Sequence, residues 1–268
     1  MTKIIATIGP ATDTAEKLKN LESSGASIFR LNLSHNDLDW HKNIISLIRK
    51  VCPAIPILAD IPGRKIRTTE LVCTKTFTSE STIKFVTQGI YNKENLPTNH
   101  YELNSKVFFE LIKEGQLIYA DDGTLSFIIT SCSKDVATAK PLQSGQIKPC
   151  KGINIPHAKY GSGLLTTKDK KYLDFCIQNS LDFAGISFVD GQDYISNVNN
   201  YLAEYNCKAI AKIESSAAMK SLDSILKSSF AVMIDRGDLS VETDVYQIGL
   251  YSKNILAKAF KYGVPVIV

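Results

Sequence analysis

Ala209-Ile210-Ala211-Lys212-Ile213-Glu214 is an apolar run that ends in a lysine and a glutamate two residues apart. A short run with so little polar content suits a strand covered on both faces, as in a parallel sheet. Residues two apart in a strand share a face. Lys212 and Glu214 therefore point the same way from an otherwise apolar strand, and a buried lysine is costly unless paired. The pattern recurs. Ser27–Ser34 leads into Arg30-Leu31-Asn32-Leu33-Ser34-His35, with Arg30, Asn32 and Ser34 on one face. Pro56–Asp60 ends in Asp60, Phe183–Val189 carries Ser187-Phe188, and Phe230–Asp235 continues into Arg236-Gly237-Asp238. Lys3–Gly9 and Val264–Val268 are further apolar runs.

Between the runs lie helical patterns. Asp13 or Thr14 can cap a helix carrying Leu18 and Leu21 that stops at Gly25. A second helix carries Leu38, Ile44, Ile45, Leu47, Ile48 and Val51, with Pro53 beyond its end. Thr166 or Thr167 can cap a third, with Tyr172, Leu173 and Cys176 on one face. Three more carry Tyr194 to Leu202, Leu222 to Leu226 and Ile248 to Ala259. Strand–helix alternation of this kind predicts an α/β fold with a parallel sheet or barrel.

One stretch breaks the rhythm. From Thr68 to Pro156 short Thr/Ser/Val/Ile-rich runs (Thr82–Val86, Gln116–Ala120, Leu125–Thr130, Asp135–Ala139) are separated by turn residues, among them Asp121-Asp122-Gly123. This predicts a small all-β domain inserted after the third α/β strand, which divides the chain into residues 1–67, 68–156 and 157–268.

Composition narrows the function. A formal charge of +4 with no dense Lys/Arg block is too weak to point to nucleic acid. No apolar run approaches the roughly 18 residues of a membrane span, and the first residues lack the apolar core of a signal peptide. A cytoplasmic protein without a membrane partner is expected. Six scattered cysteines form no CxxC pair and no zinc spacing, so reduced thiols are expected.

In parallel α/β folds ligands bind at the carboxyl ends of strands. Five polar strand ends therefore predict one charged mouth. Its chemistry suits transfer of an anionic group: Glu214 and Asp238 are hard oxygen donors for a divalent ion, while Lys212 and Arg30 can neutralise a phosphoryl group in flight. Backbone N–H groups near Gly237 can hold a carboxylate or phosphate.

These residues carry a resemblance to the pyruvate kinase family over nearly the whole chain. The matching motifs are Thr2 to Ala11, Arg30 to His35, Asp60-Ile61-Pro62-Gly63-Arg64-Lys65-Ile66-Arg67-Thr68, Asp121-Asp122-Gly123, Lys151 to Pro156, Lys168-Asp169, Ser187-Phe188-Val189, Lys212-Ile213-Glu214 and Arg236-Gly237-Asp238-Leu239. The resemblance implies a TIM-type (β/α) barrel with an inserted β-domain as a lid. It implies phosphoryl transfer from phosphoenolpyruvate to ADP, giving pyruvate and ATP, with Mg²⁺ or Mn²⁺. By likeness Lys212 stabilises the transferring group, with Gly237 and Asp238 beside the substrate. Glu214 and Asp238 hold the divalent ion. Arg30, Asn32, His35, Arg67 and Lys151 meet the nucleotide, and Asp122 belongs to the lid. Asn32, Ser34 and Asp60 match ligands of a monovalent cation.

The chain departs from the family pattern at several points. Lys65 stands where Glu is usual in potassium-dependent members, which implies that potassium is not required, since its ammonium can replace the bound monovalent cation near the phosphates. Asp235 replaces a usual Ala, and three readings are open: it repels the substrate carboxylate, adds a metal contact, or points away. Ala217-Ala218 stand for Glu-Gly, Ser240 for Gly and Asp190 for Arg. The sequence ends at the seventh strand's motif, so an incomplete barrel without the family's C-terminal domain is expected, with a second copy or a strand-completing partner. Two alternatives to the kinase stay open. One is a catalytically impaired relative that binds a partner; the other is a barrel enzyme using Mg²⁺ and an enolate for other chemistry.

Overall fold

The structure is a computed structural model and describes residues 2–73, 75–161 and 163–268. Seven parallel strands form one sheet in the order β1-β2-β3-β11-β12-β13-β14. They are β1 (Ile4–Ile8), β2 (Ala26–Asn32), β3 (Ile57–Ile61), β11 (Phe183–Ile186), β12 (Lys208–Ile213), β13 (Ala231–Ile234) and β14 (Val266–Ile267). The helices between them are α1 (Ala15–Ser23), α2 (Leu38–Val51), α4 (Thr167–Gln178), α5 (Gln192–Tyr201), α6 (Ser216–Lys220), α7 (Leu222–Ser228), α8 (Arg236–Glu242) and α9 (Ile248–Tyr262). This is an incomplete β/α barrel, with β1 and β14 as its edges.

Between β3 and β11 the chain makes a second, closed barrel in the order β10-β4-β6-β5-β9-β8-β7. Its strands are β4 (Ile66–Val72), β5 (Ile83–Thr87), β6 (His100–Leu103), β7 (Leu117–Ala120), β8 (Leu125–Cys132), β9 (Val136–Pro141) and β10 (Gly152–Asn154). One short helix interrupts them, α3 (Val107–Leu111), where the sequence showed no helical period. Five residues give too short a window for such a period to register.

Local chemistry sets the boundaries. Thr14 caps α1 and Thr166 caps α4, the latter in a reciprocal box with Asp169. Gly25 (φ +100°) follows the end of α1, in the backbone region glycine enters at least cost.

The period of two then sorts the parallel strands into two faces. Phe29, Leu31, Ile57, Ala59, Ile61, Ala209, Ala211, Ile213, Val232 and Ile234 pack outward with the helices in one apolar cluster. Leu58, Ile210, Ala231 and Met233, with Ile28, Phe183 and Ile267 against them, pack together on the other face. Arg30, Asp60 and Lys212 sit two residues beyond Ile28, Leu58 and Ile210, so they inherit that inner face at the strands' carboxyl ends. The fold thus places charge directly above an apolar plug.

Candidate functional site

Arg30, Asn32, Ser34, His35, Asp60, Pro62, Lys65, Arg67, Ser187, Phe188, Lys212, Asp235 and Asp238 line one small cavity at this end of the sheet. The strand ends therefore converge. Lys212 is at its centre. Its Nζ lies 3.1 Å from Asp60 Oδ1, 3.2 Å from Glu214 Oε2 and 3.1 Å from Asp235 Oδ2, and it donates to Ser187 Oγ at 3.1 Å. Arg30 holds the other oxygen of Asp60 through Nε at 3.0 Å and through Nη2, and its Nη1 donates to Thr7 Oγ1 at 3.0 Å. Asp60 thus joins the guanidinium to the ammonium.

Burial works against the Lys212 ammonium, but Glu214, Asp60 and Asp235 outweigh it and hold its pKa above the ordinary lysine value. Glu214 is pushed upward by burial, opposed by Lys212 and reinforced by Asp238 and Asp235. Asp235 moves the other way: burial raises it, and the Lys212 charge and hydrogen bond bring it below the usual carboxylate range. One carboxylate oxygen from each of Glu214, Asp235 and Asp238 lies within 4.8 Å of the others. Glu214 Oε1 accepts the Phe188 N–H at 2.5 Å, while Oε2 is buried and accepts no hydrogen bond, although the Lys212 charge is close. Three hard oxygen donors with a free buried lone pair fit a magnesium-like ion, which takes one or two carboxylates plus waters and substrate oxygens.

Lys65 reaches across from the start of the second barrel. Its Nζ lies 2.5 Å from Asp238 Oδ1 and 3.6 Å from Asp122 Oδ1. A side chain on Gly152 would lie 2.4 Å from Lys65 Cε, so glycine there clears the path of this lysine. Gly63 (φ +56°) is likewise fixed, because a Cβ would come within 2.7 Å of Ser187 Cβ. Lys151 pairs with Asp121 Oδ1 at 2.7 Å, and Arg67 Nη1 donates to the Cys150 carbonyl. Asp121 and Asp122 both sit in the left-handed region (φ +51° and +53°) in the tight turn that closes β7 onto β8. Asp122 is largely exposed at the rim.

The cavity thus gathers Arg30, Asn32, Ser34, His35, Asp60, Lys65, Arg67, Lys212, Asp235 and Asp238, with Glu214 packed behind Lys212. Lys151 and Asp122 stand outside its lining, tied to Asp121 and Lys65. Lys65 lines the same cavity as Asn32, Ser34 and Asp60; its ion pairs among the described residues go to Asp238 and Asp122, while Arg30 and Lys212 pair with Asp60. Beside Gly237 the Asp235 carboxylate caps α8 and accepts the Asp238 N–H at 3.5 Å. Of the three readings of Asp235, pointing away is the one the geometry removes. Asn32 Oδ1 is also engaged, accepting the Ser34 N–H at 3.0 Å.

Sequence reasoning missed a buried network at the junction of the two barrels. Asn154 Nδ2 and Tyr160 Oη both donate to Glu242 Oε1, at 3.0 and 2.7 Å, and Tyr160 Oη accepts the Ile155 N–H. Burial pushes Glu242 up to about 7 against those hydrogen bonds. An Asn inside the apolar run Gly152-Ile153-Asn154-Ile155 was the available signal. Arg64 was missed as well: it stacks on Tyr194 with 4.2 Å to the ring centroid, lies 3.7 Å from Asp169 and contacts the Leu164 carbonyl. It borders a second cavity of about 690 Å³ on the other side of Lys65, whose lining includes none of Asp60, Glu214, Asp235 and Asp238.

An incomplete β/α barrel, a closed β-barrel inserted after its third strand, and a lysine held among carboxylates at the strand ends define the class: an α/β-barrel protein with a mouth arranged for an anion and a hard cation. The description "Pyruvate kinase, barrel domain" matches residues 1–268, and the chain belongs to the pyruvate kinase family. It is 31% identical to pyruvate kinase 2 of Synechocystis sp. over 99% of this chain and 46% of that protein. It is 30% identical to the pyruvate kinase of Thermococcus litoralis over 99% of this chain and 57% of that protein. It is 33% identical to pyruvate kinase 1 of Candida glabrata over 99% and 55%. The chain spans about half the length of the curated relatives it matches. All six cysteines are free, and no described helix is long and apolar enough to cross a membrane.

Proposed function

We propose that this chain carries the phosphoryl-transfer chemistry of its family, moving a phosphoryl group between phosphoenolpyruvate and ADP to give pyruvate and ATP, with Mg²⁺ or Mn²⁺. The observation that carries the reading is the Lys212 ammonium, fixed at the mouth by Asp60, Glu214 and Asp235 within 3.2 Å. An ammonium so placed stays protonated and can neutralise the equatorial oxygens of a transferring phosphoryl group, where catalysis is mostly positioning and electrostatics. Glu214 and Asp238 would hold the divalent ion, which when bound supplies charge neutralisation to the phosphoryl oxygens. Arg30, Asn32, His35 and Arg67 surround the opening and suit a nucleotide phosphate. Lys151 and Asp122 belong to the inserted barrel, which can cover the site and keep water out.

The test is ATP formation from phosphoenolpyruvate and ADP with Mg²⁺, measured for the chain and for Lys212→Met. Turnover that falls by about a thousandfold or more in the variant supports the reading. Turnover unaffected by the substitution, or none in either protein, sinks it. Nucleotide binding without turnover would instead favour a binding protein built on the same fold.

A further inference from the structure

Four oxygens crowd the Lys212 ammonium: Ser187 Oγ, Asp60 Oδ1, Glu214 Oε2 and Asp235 Oδ2, all within 3.2 Å. An ammonium has three N–H groups. Three carboxylate oxygens and a hydroxyl packed this closely around them leave an incoming oxyanion no open approach to Nζ unless a partner leaves. Three of the four are fixed. Asp60 is 3% exposed and also grips Arg30; Glu214 is 1% exposed and accepts the Phe188 N–H; Ser187 donates to the Ile61 carbonyl at 2.7 Å. Asp235 differs. Its side chain is 29% exposed, and its capping bond to the Asp238 N–H is long, at 3.5 Å. It is the partner that can let go. It also has somewhere to go, because its carboxylate already lies within 4.8 Å of those of Glu214 and Asp238. The cavity holds about 100 Å³, well under the roughly 300–1,000 Å³ of a small-molecule site. The protein's own side chains occupy ligand space.

We propose that Asp235 is an internal substitute for the anionic substrate and is released by metal. Without a divalent ion its carboxylate closes Lys212. With one bound at Glu214 and Asp238, Asp235 turns to the cation as a third ligand and frees an N–H of Lys212 for an oxyanion. Oxyanion binding and cation binding are then positively coupled, with the cation first. The inference rests on the mouth being the phosphoryl site proposed above, and it adds a gate that decides when an anion can enter.

The probes are Mn²⁺ and inorganic phosphate, titrated singly and together by calorimetry into the chain and into Asp235→Asn. Asparagine still caps a helix, and circular dichroism checks that the variant folds. In the unaltered chain phosphate should bind about tenfold or more tightly once Mn²⁺ is present, within the usual range of coupling between sites. In the variant phosphate should bind metal-free protein about tenfold more tightly, Mn²⁺ should bind about tenfold more weakly, and the coupling should shrink by a similar factor. Phosphate affinity of the unaltered chain that is indifferent to Mn²⁺ overturns the proposal without any variant. So does a folded variant whose coupling is unchanged, or one that gains phosphate affinity with no loss for Mn²⁺, which would mean simple repulsion. Neither readout uses turnover. A chain that shows the coupling but forms no ATP keeps this inference and loses only the proposed activity; turnover without coupling does the reverse.

Discussion

Along β12 the inward side chains run from Ile210 to Lys212 and on to Glu214, whereas along β8 Phe127 and Ile129 stay apolar and fully buried. Both strands alternate with a period of two. The difference lies in what the enclosed space contains. The parallel sheet has an apolar floor of Leu58, Ile210, Ala231 and Met233 with charge above it. The second barrel is filled by rings: Phe127 meets Phe77 and Phe85 edge-on at 5.6 and 5.8 Å between centroids, and Tyr101 lies 6.2 Å from Phe85. A barrel filled with aromatic rings has no room for a ligand. It can contribute to the site only through its rim, and Lys151, Asp121 and Asp122 are on that rim. The charged side chains of the mouth therefore come from one interior and from the outer edge of the other.

The sharpest way to break this division is Phe127→Ala. Removing a fully buried ring costs about 3–5 kcal/mol, from lost burial and the cavity left behind. The loss should fall on the second barrel, since Phe127 belongs to that apolar cluster and the outward-facing residues of the parallel sheet to another. Trp40, the single tryptophan, lies in α2 against the parallel sheet, so its fluorescence reports that part alone. In urea the backbone amides of β8 and β9 should lose their protection from hydrogen exchange first, with the Trp40 transition changed far less and Mn²⁺ binding retained. If both transitions fall together, the two interiors melt as one unit and the division is wrong.

How much of this could be read in advance depends on how far a signal reaches along the chain. The mouth was legible because its members end apolar runs: Arg30 and Asn32 on one strand and Lys212 and Glu214 on another each announce themselves within six residues. The inserted β4, β6 and β10 are not legible as strands in the sequence. β6 and β10 have four and three residues, too few for a period to show. Partnerships were harder. Arg30 with Asp60 spans 30 positions and Lys65 with Asp238 spans 173, and nothing local pairs them. The third carboxylate on Lys212 was visible as a residue and invisible as a contact. Whether Asp235 faced the lysine, the metal site or solvent depended on where α8 begins, and Asp235 itself sets that start as its N-cap.

Glu242 lies where the two regions meet, and it offers the smaller and more exact test. It sits on α8 of the parallel part and takes two hydrogen bonds from the segment that leaves the second barrel, Asn154 and Tyr160. Burial raises its pKa from 4.5 to about 7, opposed by those bonds; of the charges around it, Asp238 adds to the rise and Lys65 resists it. The folded state therefore favours the protonated acid. Its contribution to stability is complete below the unfolded value near 4.5, drains away as pH rises to about 7, and is gone above that. A shift of this size is worth at most on the order of 3 kcal/mol. Glu242→Gln stays neutral at every pH, and its amide oxygen can still accept both bonds. The expected result is two stability curves that nearly coincide at pH 4 and separate progressively to pH 8, with the glutamine protein the more stable. The separation should appear in unfolding by urea at each pH, with the Lys212 cluster untouched. Parallel curves would mean that Glu242 is ionised at the junction throughout, and that the two barrels are joined by a charge rather than by a neutral acid.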